Sequence, residues 1–240
     1  MIRPDLISNS IRGNELATAT LRVDIIADLI CPWCYLGKRR LDAALRAVQG
    51  PSVLRWLPYQ LNPAMPDSGM GFEEYLESRF GSRAAVQPGL DKLTAQGLDD
   101  GIRFRFDLIK RVPNTLAAHR LLSHAGTESA GVANVAEELF RGFFEEGLDI
   151  GRDDVLIDVG TRHGLTRSNI AHCLQDDALR LHLQEQEAEM RRGGVSGVPD
   201  FVINDRVFVI GAQPAPVLVD AFDRAMFGER SDQPVSDILH

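Results

Sequence analysis

The feature that most constrains the fold of this 240-residue chain is the placement of strand-like segments near its two ends only. Residues 21–28 and 53–61 are rich in β-branched and aliphatic side chains, a composition typical of buried strands. Residues 201–211 have the pattern of a hairpin with Asn204-Asp205 at its turn. Because a two-stranded sheet is marginal by itself, we expect the two ends of the chain to share one four-stranded sheet.

Helical patterns fill the rest of the chain. They are predicted over 32–48 and 215–227, beside the strands, and over almost the whole of 72–192, where one helix opens at Ser168 and includes Leu181. The pattern therefore predicts an α/β fold with flanking helices and a large all-helical insertion. The expected organisation is an N-terminal extension over 1–20, a first sheet segment over 21–62, the helical insertion over 63–192, a second sheet segment over 193–228 and a C-terminal tail over 229–240.

Composition excludes several classes of function. A net charge of -8 argues against nucleic-acid binding, and the basic cluster Lys38-Arg39-Arg40 is interpreted as a solvated helix edge. No apolar run approaches the ~18 residues of a membrane span, so no membrane partner is expected. Residues 1–5 lack the apolar core of a signal peptide, which makes the cytoplasm the expected location. The pattern does not predict the oligomeric state.

The segment Cys31-Pro32-Trp33-Cys34 lies where the first strand gives way to its helix. Cysteines three positions apart at a helix start lie within disulfide reach, and the helix dipole there favours a thiolate. Pro32 suits the first helical position. We expect Cys31 to expose its sulfur and attack a disulfide, and Cys34 to point inward and resolve the mixed disulfide.

Two other interpretations of this pair are half of a zinc site and two buried thiols. A zinc site is disfavoured because the sequence has no second CxxC and no closely spaced pair of histidines near the cysteines. His119 and His124 lie five positions apart on one helix and are poorly matched in direction, so no metal is expected. Cys173 falls on an apolar helix face and is interpreted as a small buried hydrophobe. His119 is interpreted as a partly buried helical histidine with a backbone or water partner.

A second informative stretch, residues 193–201, combines glycines with Val198-Pro199 just before the third strand. By itself Pro199 indicates only an edge strand that lacks one hydrogen-bond donor.

Taken together, these motifs make the chain resemble thioredoxin-fold proteins of the DsbA-like superfamily, specifically the FrnE-like branch. The resemblance covers about residues 21–227 and rests on Asp28 to Leu41, Tyr59-Gln60-Leu61-Asn62-Pro63, Asn114 to Leu121, Phe143 to Ile150, Gly194 to Pro199 and Gly211-Ala212-Gln213-Pro214.

The resemblance implies a thioredoxin-like four-stranded mixed sheet and a thiol–disulfide oxidoreductase or isomerase. It implies that Pro199 is cis and packs opposite the cysteine pair, and that Val198 offers its backbone to a peptide strand or to glutathione. Pro32 and Trp33 would join Val198 and Pro199 in binding substrate. The expected partners are thiol- or disulfide-containing proteins or glutathione, with glutathione as a candidate co-substrate and no tightly bound cofactor.

One position departs from the family pattern. Relatives often carry a buried acid six residues before the first cysteine, where this chain has Ile25. Asp24 and Asp28 lie nearby at other positions, so the group that handles the proton of Cys34 stays unassigned. Asp200 is polar where relatives commonly have an apolar residue.

Two alternatives to the oxidoreductase remain open. One is a glutathione-dependent isomerase or transferase of the 2-hydroxychromene-2-carboxylate isomerase or kappa type, which typically has serine in place of the first cysteine. The other is a redox-switched binding module. Retention of both cysteines favours the oxidoreductase.

Overall fold

The computed structural model describes residues 20–127 and 131–228. The predicted extension over 1–20, apart from its last residue, and the predicted tail over 229–240 lie outside the described residues.

The two ends of the chain form one mixed sheet, as predicted. Its strands are β1 (Leu21–Ala27), β2 (Ser52–Pro58), β5 (Asp200–Ile203) and β6 (Val207–Ile210), in the order β2-β1-β5-β6. β1 is parallel to β2, whereas the β1–β5 and β5–β6 pairs are antiparallel. Pro58 closes β2, which is an edge strand, in agreement with the cost of a proline inside a sheet.

The parallel β1–β2 pair is connected by helix α1 (Pro32–Ala47), and β6 is followed by α9 (Ala215–Phe227). α1 and α9 pack against each other. In the β5–β6 hairpin, Asn204 and Asp205 both have φ near +50°, as a tight hairpin turn requires. The Asn204 side chain accepts a hydrogen bond from the Arg22 amide at 2.8 Å, which ties this turn to β1.

Seven further helices lie between the two parts of the sheet in the described residues. They are α2 (Phe72–Phe80), α3 (Arg83–Asp99), α4 (Leu116–Thr127), α5 (Val132–Glu146), α6 (Asp153–Arg162), α7 (Arg167–Gln175) and α8 (Asp177–Arg192). Helices α4, α5 and α8 pack against β2, which joins the helical block to the edge of the sheet.

The helical block differs from the sequence prediction in two places. Residues 100–115 are largely irregular and include β4 (Arg111–Val112), which pairs with β3 (Met70–Gly71) in a small second sheet. The helix expected to include both Ser168 and Leu181 is divided, because the Asp176 carboxylate caps α8 by accepting from the Ala178 and Leu179 amides.

Aromatic packing fixes α1 against the helical block. The Tyr35 ring stacks on Phe140 of α5, with centroids 5.1 Å apart, and meets Phe104 edge-on at 6.0 Å. Tyr35 follows Cys34 directly, so this packing also sets the position of the cysteine pair.

The basic cluster of α1 is a buried ionic network rather than the predicted solvated edge. Lys38 is 4% exposed, and its ammonium lies 2.6 Å from Asp42 and 2.9 Å from Glu137 of α5. Arg39 pairs with Glu137 at 2.6 Å, and the Tyr35 hydroxyl donates to Glu145 at 2.6 Å. The sequence prediction was wrong here because two of the acidic partners, Glu137 and Glu145, come from a different helix.

Candidate active site

Cys31 and Cys34 occupy the start of α1, where the chain leaves the sheet. Cys31 is the N-cap residue with extended backbone angles (φ -90°, ψ 114°), and Pro32 holds the first helical position. The Cys34 amide donates to the Cys31 carbonyl at 3.0 Å, closing the first turn. Both thiols are free, and they lie close enough for a hydrogen bond between their side chains.

The cysteine pair is more buried than the sequence predicts. Cys34 is 1% exposed, in keeping with an inward orientation, but Cys31 is only 4% exposed instead of presenting an open sulfur. The most exposed residue of the motif is Trp33, at 38%. Trp33 therefore supplies the exposed surface of the motif, whereas little of Cys31 is accessible to solvent.

Val198 and Pro199 lie opposite the cysteine pair. The Cys31 thiol donates to the Val198 carbonyl at 3.7 Å, and the peptide bond between Val198 and Pro199 is cis. Gly37 allows this approach, because a Cβ atom at Gly37 would lie 2.8 Å from the Pro199 ring. Cys31 and Val198, which are 167 positions apart in the chain, thus meet at the Cys31 sulfur atom.

Burial raises the pKa of the Cys34 thiol well above its ordinary value, and the hydrogen bond and charge of Cys31 act in the same direction. The backbone of Asp28 opposes this by offering a hydrogen bond to the thiol, whereas the Asp28 carboxylate adds to the increase. Cys34 is therefore protonated at neutral pH and must lose its proton before it can act as a nucleophile.

Asp28 lies in the short loop between β1 and α1 and is fully buried. Its Oδ2 accepts a hydrogen bond from the Leu61 amide at 2.7 Å, and its Oδ1 lies 3.7 Å from Nε2 of His119. His119 is also buried, and its Nδ1 faces the indole N–H of Trp56 at 3.3 Å. Its partners are side chains, not the backbone or water group expected from the sequence.

The other two acids near the site have different environments. Asp24 on β1 pairs with Arg55 of β2, so both of its oxygens are engaged. Asp200, directly after Pro199, is 9% exposed, and burial raises its pKa to about 6. Its Oδ1 has no hydrogen-bond partner among the described residues.

A cavity of about 340 Å³ lies between α2 and the loop after β2, lined in part by Leu61, Asn62, Met65, Tyr75 and Arg79. Burial raises the pKa of Tyr75, and the charges of Asp28 and Cys31 contribute to that increase. Tyr75 thus lines the cavity and lies within electrostatic range of Asp28 and Cys31.

The remaining sequence predictions concern residues away from this region. Cys173 is 7% exposed on α7, and burial raises its pKa to about 11, consistent with a buried thiol. Across residues 20–127 and 131–228, no group of three or more His, Cys, Asp or Glu side chains is arranged to hold a metal ion. In the same residues no helix is long and apolar enough to span a membrane.

Sequence reasoning noticed Asp28 and His119 but did not bring them together. A signal for Asp28 was present, because an acid that directly follows an apolar strand sits where the chain turns toward the helix. No signal linked it to His119, which lies 91 positions later on a helix of the insertion.

The family model of the DSBA-like thioredoxin domain matches residues 22–223. Among solved structures, a probable DsbA oxidoreductase, SCO1869 of Streptomyces coelicolor, is 29% identical with a TM-score of 0.77, covering 90% of this chain and 94% of its own. A 2-hydroxychromene-2-carboxylate isomerase is 20% identical with a TM-score of 0.65, covering 85% and 95%. The cytosolic disulfide reductase DsbM of Pseudomonas aeruginosa, solved with GSH, is 20% identical with a TM-score of 0.54, covering 86% and 96%.

Proposed function

The chain belongs to the family of DSBA-like thioredoxin domains, and from that premise we propose that it is a thiol–disulfide oxidoreductase of the FrnE-like branch, with Cys31 as nucleophile and Cys34 as resolving thiol. The observation that carries the proposal is the contact of the Cys31 sulfur with the Val198 carbonyl at 3.7 Å, beside a second free thiol on the same helical turn. This contact supports the proposal that an extended substrate docks at the Val198 backbone, beside the attacking thiol.

The reaction has two displacement steps. The Cys31 thiolate attacks one sulfur of a substrate disulfide, a Cys31–substrate bond forms, and the first substrate thiolate leaves with the electron pair and takes up a proton. Deprotonated Cys34 then attacks the Cys31 sulfur, which closes the Cys31–Cys34 disulfide and releases the second substrate thiolate. The chain is oxidised and the substrate reduced, and the reverse sequence oxidises a dithiol substrate.

The substrate-binding surface in this proposal consists of Pro32, Trp33, Val198 and Pro199. Trp33 supplies exposed aromatic area beside the sulfur, and Val198 supplies backbone groups for β-addition of an extended peptide. Glutathione is a candidate co-substrate, supported by the GSH complex of the structurally similar DsbM. The proposed location is the cytoplasm, where a CxxC pair acts as a catalytic rather than a structural element.

Trapping of the mixed disulfide tests the proposal. With glutathione disulfide as oxidant, Cys34→Ser should accumulate one glutathione per chain on Cys31, detected by intact mass and peptide mapping. Cys31→Ser is the matched control and should accumulate none, and both variants are made in a Cys173→Ser background. If Cys34→Ser remains unmodified while other thiols in the same reaction exchange, the oxidoreductase assignment is wrong.

A glutathione-dependent isomerase is the second candidate, favoured by the structural similarity to the 2-hydroxychromene-2-carboxylate isomerase. In that chemistry glutathione supplies the thiol, so Cys31 itself would be dispensable. Full isomerase activity of Cys31→Ser with glutathione would favour this candidate, whereas loss of all thiol exchange in the same variant favours the oxidoreductase.

A further inference from the structure

We propose that Asp28 accepts the proton of Cys34 in the resolving step and that His119 is the positioning residue that orients the Asp28 carboxylate. The inference rests on the proposed oxidoreductase function and supplies the proton acceptor that the sequence leaves open at Ile25. It assigns this role to a residue in the loop between β1 and α1, paired with a histidine from the helical block.

The first observation is a pair of buried polar atoms that lack partners. Asp28 Oδ1 and His119 Nε2 have no hydrogen-bond partner among the described residues, and both side chains are completely inaccessible. Buried polar atoms in native proteins are nearly always hydrogen-bonded, so each exception needs a reason. The two atoms lie 3.7 Å apart, just beyond hydrogen-bond distance, as catalytic groups often do before substrate binds.

Trp56 determines which nitrogen of His119 carries the proton. An indole N–H can only donate, so Nδ1 of His119, 3.3 Å away, must be the acceptor. The neutral ring then carries its hydrogen on Nε2, the atom that faces Asp28 Oδ1. His119 therefore cannot take the proton of Cys34, because its one basic nitrogen is occupied by Trp56. It can donate to Asp28.

Asp28 has the remaining properties of a base. Its Oδ2 is engaged by the Leu61 amide at 2.7 Å, which leaves lone pairs on Oδ1 available. Its carbonyl accepts a hydrogen bond from the Cys31 amide at 3.1 Å, and the Cys31 carbonyl accepts from the Cys34 amide at 3.0 Å, which fixes Asp28 at the turn that carries both thiols. The charge of Asp28 raises the pKa of the Cys34 thiol, so the carboxylate and the thiol interact. The other titratable groups that face Asp28 and Cys34 are Cys31 on α1, His119 on α4 and Tyr75 on α2.

The proposed resolving step begins with a proton transfer and ends with release of the substrate thiolate. The Cys34 thiol transfers its proton to the Asp28 carboxylate, and the resulting thiolate attacks the Cys31 sulfur of the mixed disulfide. The Cys31–Cys34 bond forms, the Cys31–substrate bond breaks, and the substrate thiolate leaves with the electron pair. The proton on Asp28 then passes to the departing thiolate or to solvent. In the oxidising direction the same proton returns to Cys34.

The experiment separates the two steps with an aromatic disulfide, 5,5′-dithiobis(2-nitrobenzoate), followed by stopped-flow absorbance in the Cys173→Ser background. The first coloured thiolate reports attack by Cys31, and its rate depends on reagent concentration. The second coloured thiolate reports attack by Cys34 on the Cys31 mixed disulfide, and its rate does not depend on reagent concentration. Asp28→Asn should leave the first rate within about threefold of the parent rate and slow the second about 100-fold, with a second rate that keeps rising as the pH increases above neutrality.

Matched variants distinguish this role from a structural one. Asp24→Asn removes another buried acid of the same segment and should leave both rates unchanged. His119→Leu should slow the second step about tenfold, and His119→Gln, which keeps a donor near the Nε2 position, should restore most of the rate. Rescue by the glutamine would not be expected if His119 served only to fill space.

The experiment distinguishes a failure of the proposed oxidoreductase function from a failure of the role proposed for Asp28. If the parent protein releases no first thiolate, the proposed function fails and the inference fails with it. If the first step proceeds and Asp28→Asn resolves as fast as Asp24→Asn, the inference alone is wrong. Nitrogen-15 NMR of the unmodified full-length chain gives an independent check, because a proton on Nδ1 of His119 instead of Nε2 would also overturn it.

Discussion

Helix α1 and the loop before it bury charged groups in two contrasting ways. Along α1, the network of Tyr35, Lys38, Arg39 and Glu137 places opposite charges within 3 Å of each other. In the loop, Asp28 meets His119 at 3.7 Å with an unpartnered atom on each side. The paired region stabilises the contact between α1 and α5, whereas the loop leaves Asp28 Oδ1 without a hydrogen-bond partner among the described residues. Buried charge therefore supports structure in one place and supplies chemistry in the other.

Breaking the paired network should give the largest change in stability. Glu137→Gln leaves Arg39 without its nearest acid and leaves Lys38 with Asp42 alone, so we expect the free energy of unfolding to fall by about 2–3 kcal/mol. Chemical denaturation at pH 7 measures this. Glu146→Gln, in an exposed pair with Arg141, is the control and should have little effect. An equal loss in both variants would contradict the distinction between buried and exposed pairs.

Removing the charge of Asp200, whose Oδ1 has no hydrogen-bond partner among the described residues, should increase the free energy of unfolding, whereas Glu137→Gln should lower it. Asp200 has its pKa raised to about 6 by burial, above the ordinary value of 3.8, so the folded state binds the proton more tightly than the unfolded state. Ionisation of Asp200 therefore lowers the free energy of unfolding as the pH rises from about 4 to about 6. Above that range the full loss of stability is present. Asp200→Asn should increase the free energy of unfolding at pH 7 by on the order of 1–2 kcal/mol.

The pH dependence of stability in Asp200→Asn tests this prediction more directly than a single measurement at pH 7. Thermal unfolding between pH 4 and pH 7 should show a smaller decline with rising pH for Asp200→Asn than for the parent protein. If the two profiles are parallel, Asp200 is not an uncompensated buried acid.

The pair of Asp24 and Arg55 should contribute least to stability, because only Asp24 is buried. Asp24 is buried, but the Arg55 side chain that pairs with it is 59% exposed and can return to water. Asp24→Asn should therefore lower the free energy of unfolding by about 1 kcal/mol, less than Glu137→Gln. Urea denaturation of the two variants side by side provides the comparison. A larger loss for Asp24→Asn would show that solvation of the partner does not set the cost.

Much of the fold could be predicted because its signals are local. The strand over 21–28, the helix over 32–48 and the helix over 215–227 are seen as Leu21–Ala27, Pro32–Ala47 and Ala215–Phe227. α5 begins at Val132 and ends at Glu146, and the Gly147 that follows takes the left-handed conformation that glycine favours. The break at Asp176 was missed, and α3 was covered only by the general helical prediction over 72–192. An aspartate can cap a new helix inside a continuous pattern, and Pro88 lies within α3.

The cysteine pair was located by the same local signals, since a helix start after a buried strand needs only neighbouring residues to define it. Cys34 was predicted to point inward, but the burial of Cys31 was not predicted. Exposure depends on what covers the motif, and those groups come from residues far along the chain. The assignment of Lys38 to a solvated edge failed for the same reason, since Glu137 belongs to α5.

The sequence alone determined that strands at the two ends share one sheet and that Cys31 and Cys34 lie at a helix start, because periodicity, capping and turn residues act over a few positions. The family resemblance implied that Val198 and Pro199 lie opposite the cysteine pair. Only the tertiary structure decided that His119 lies between Trp56 and Asp28. Those contacts join residues far apart in the chain, and they depend on how the helical block packs against β2 and α1. Their physical origin is burial, which the local pattern of side chains does not specify.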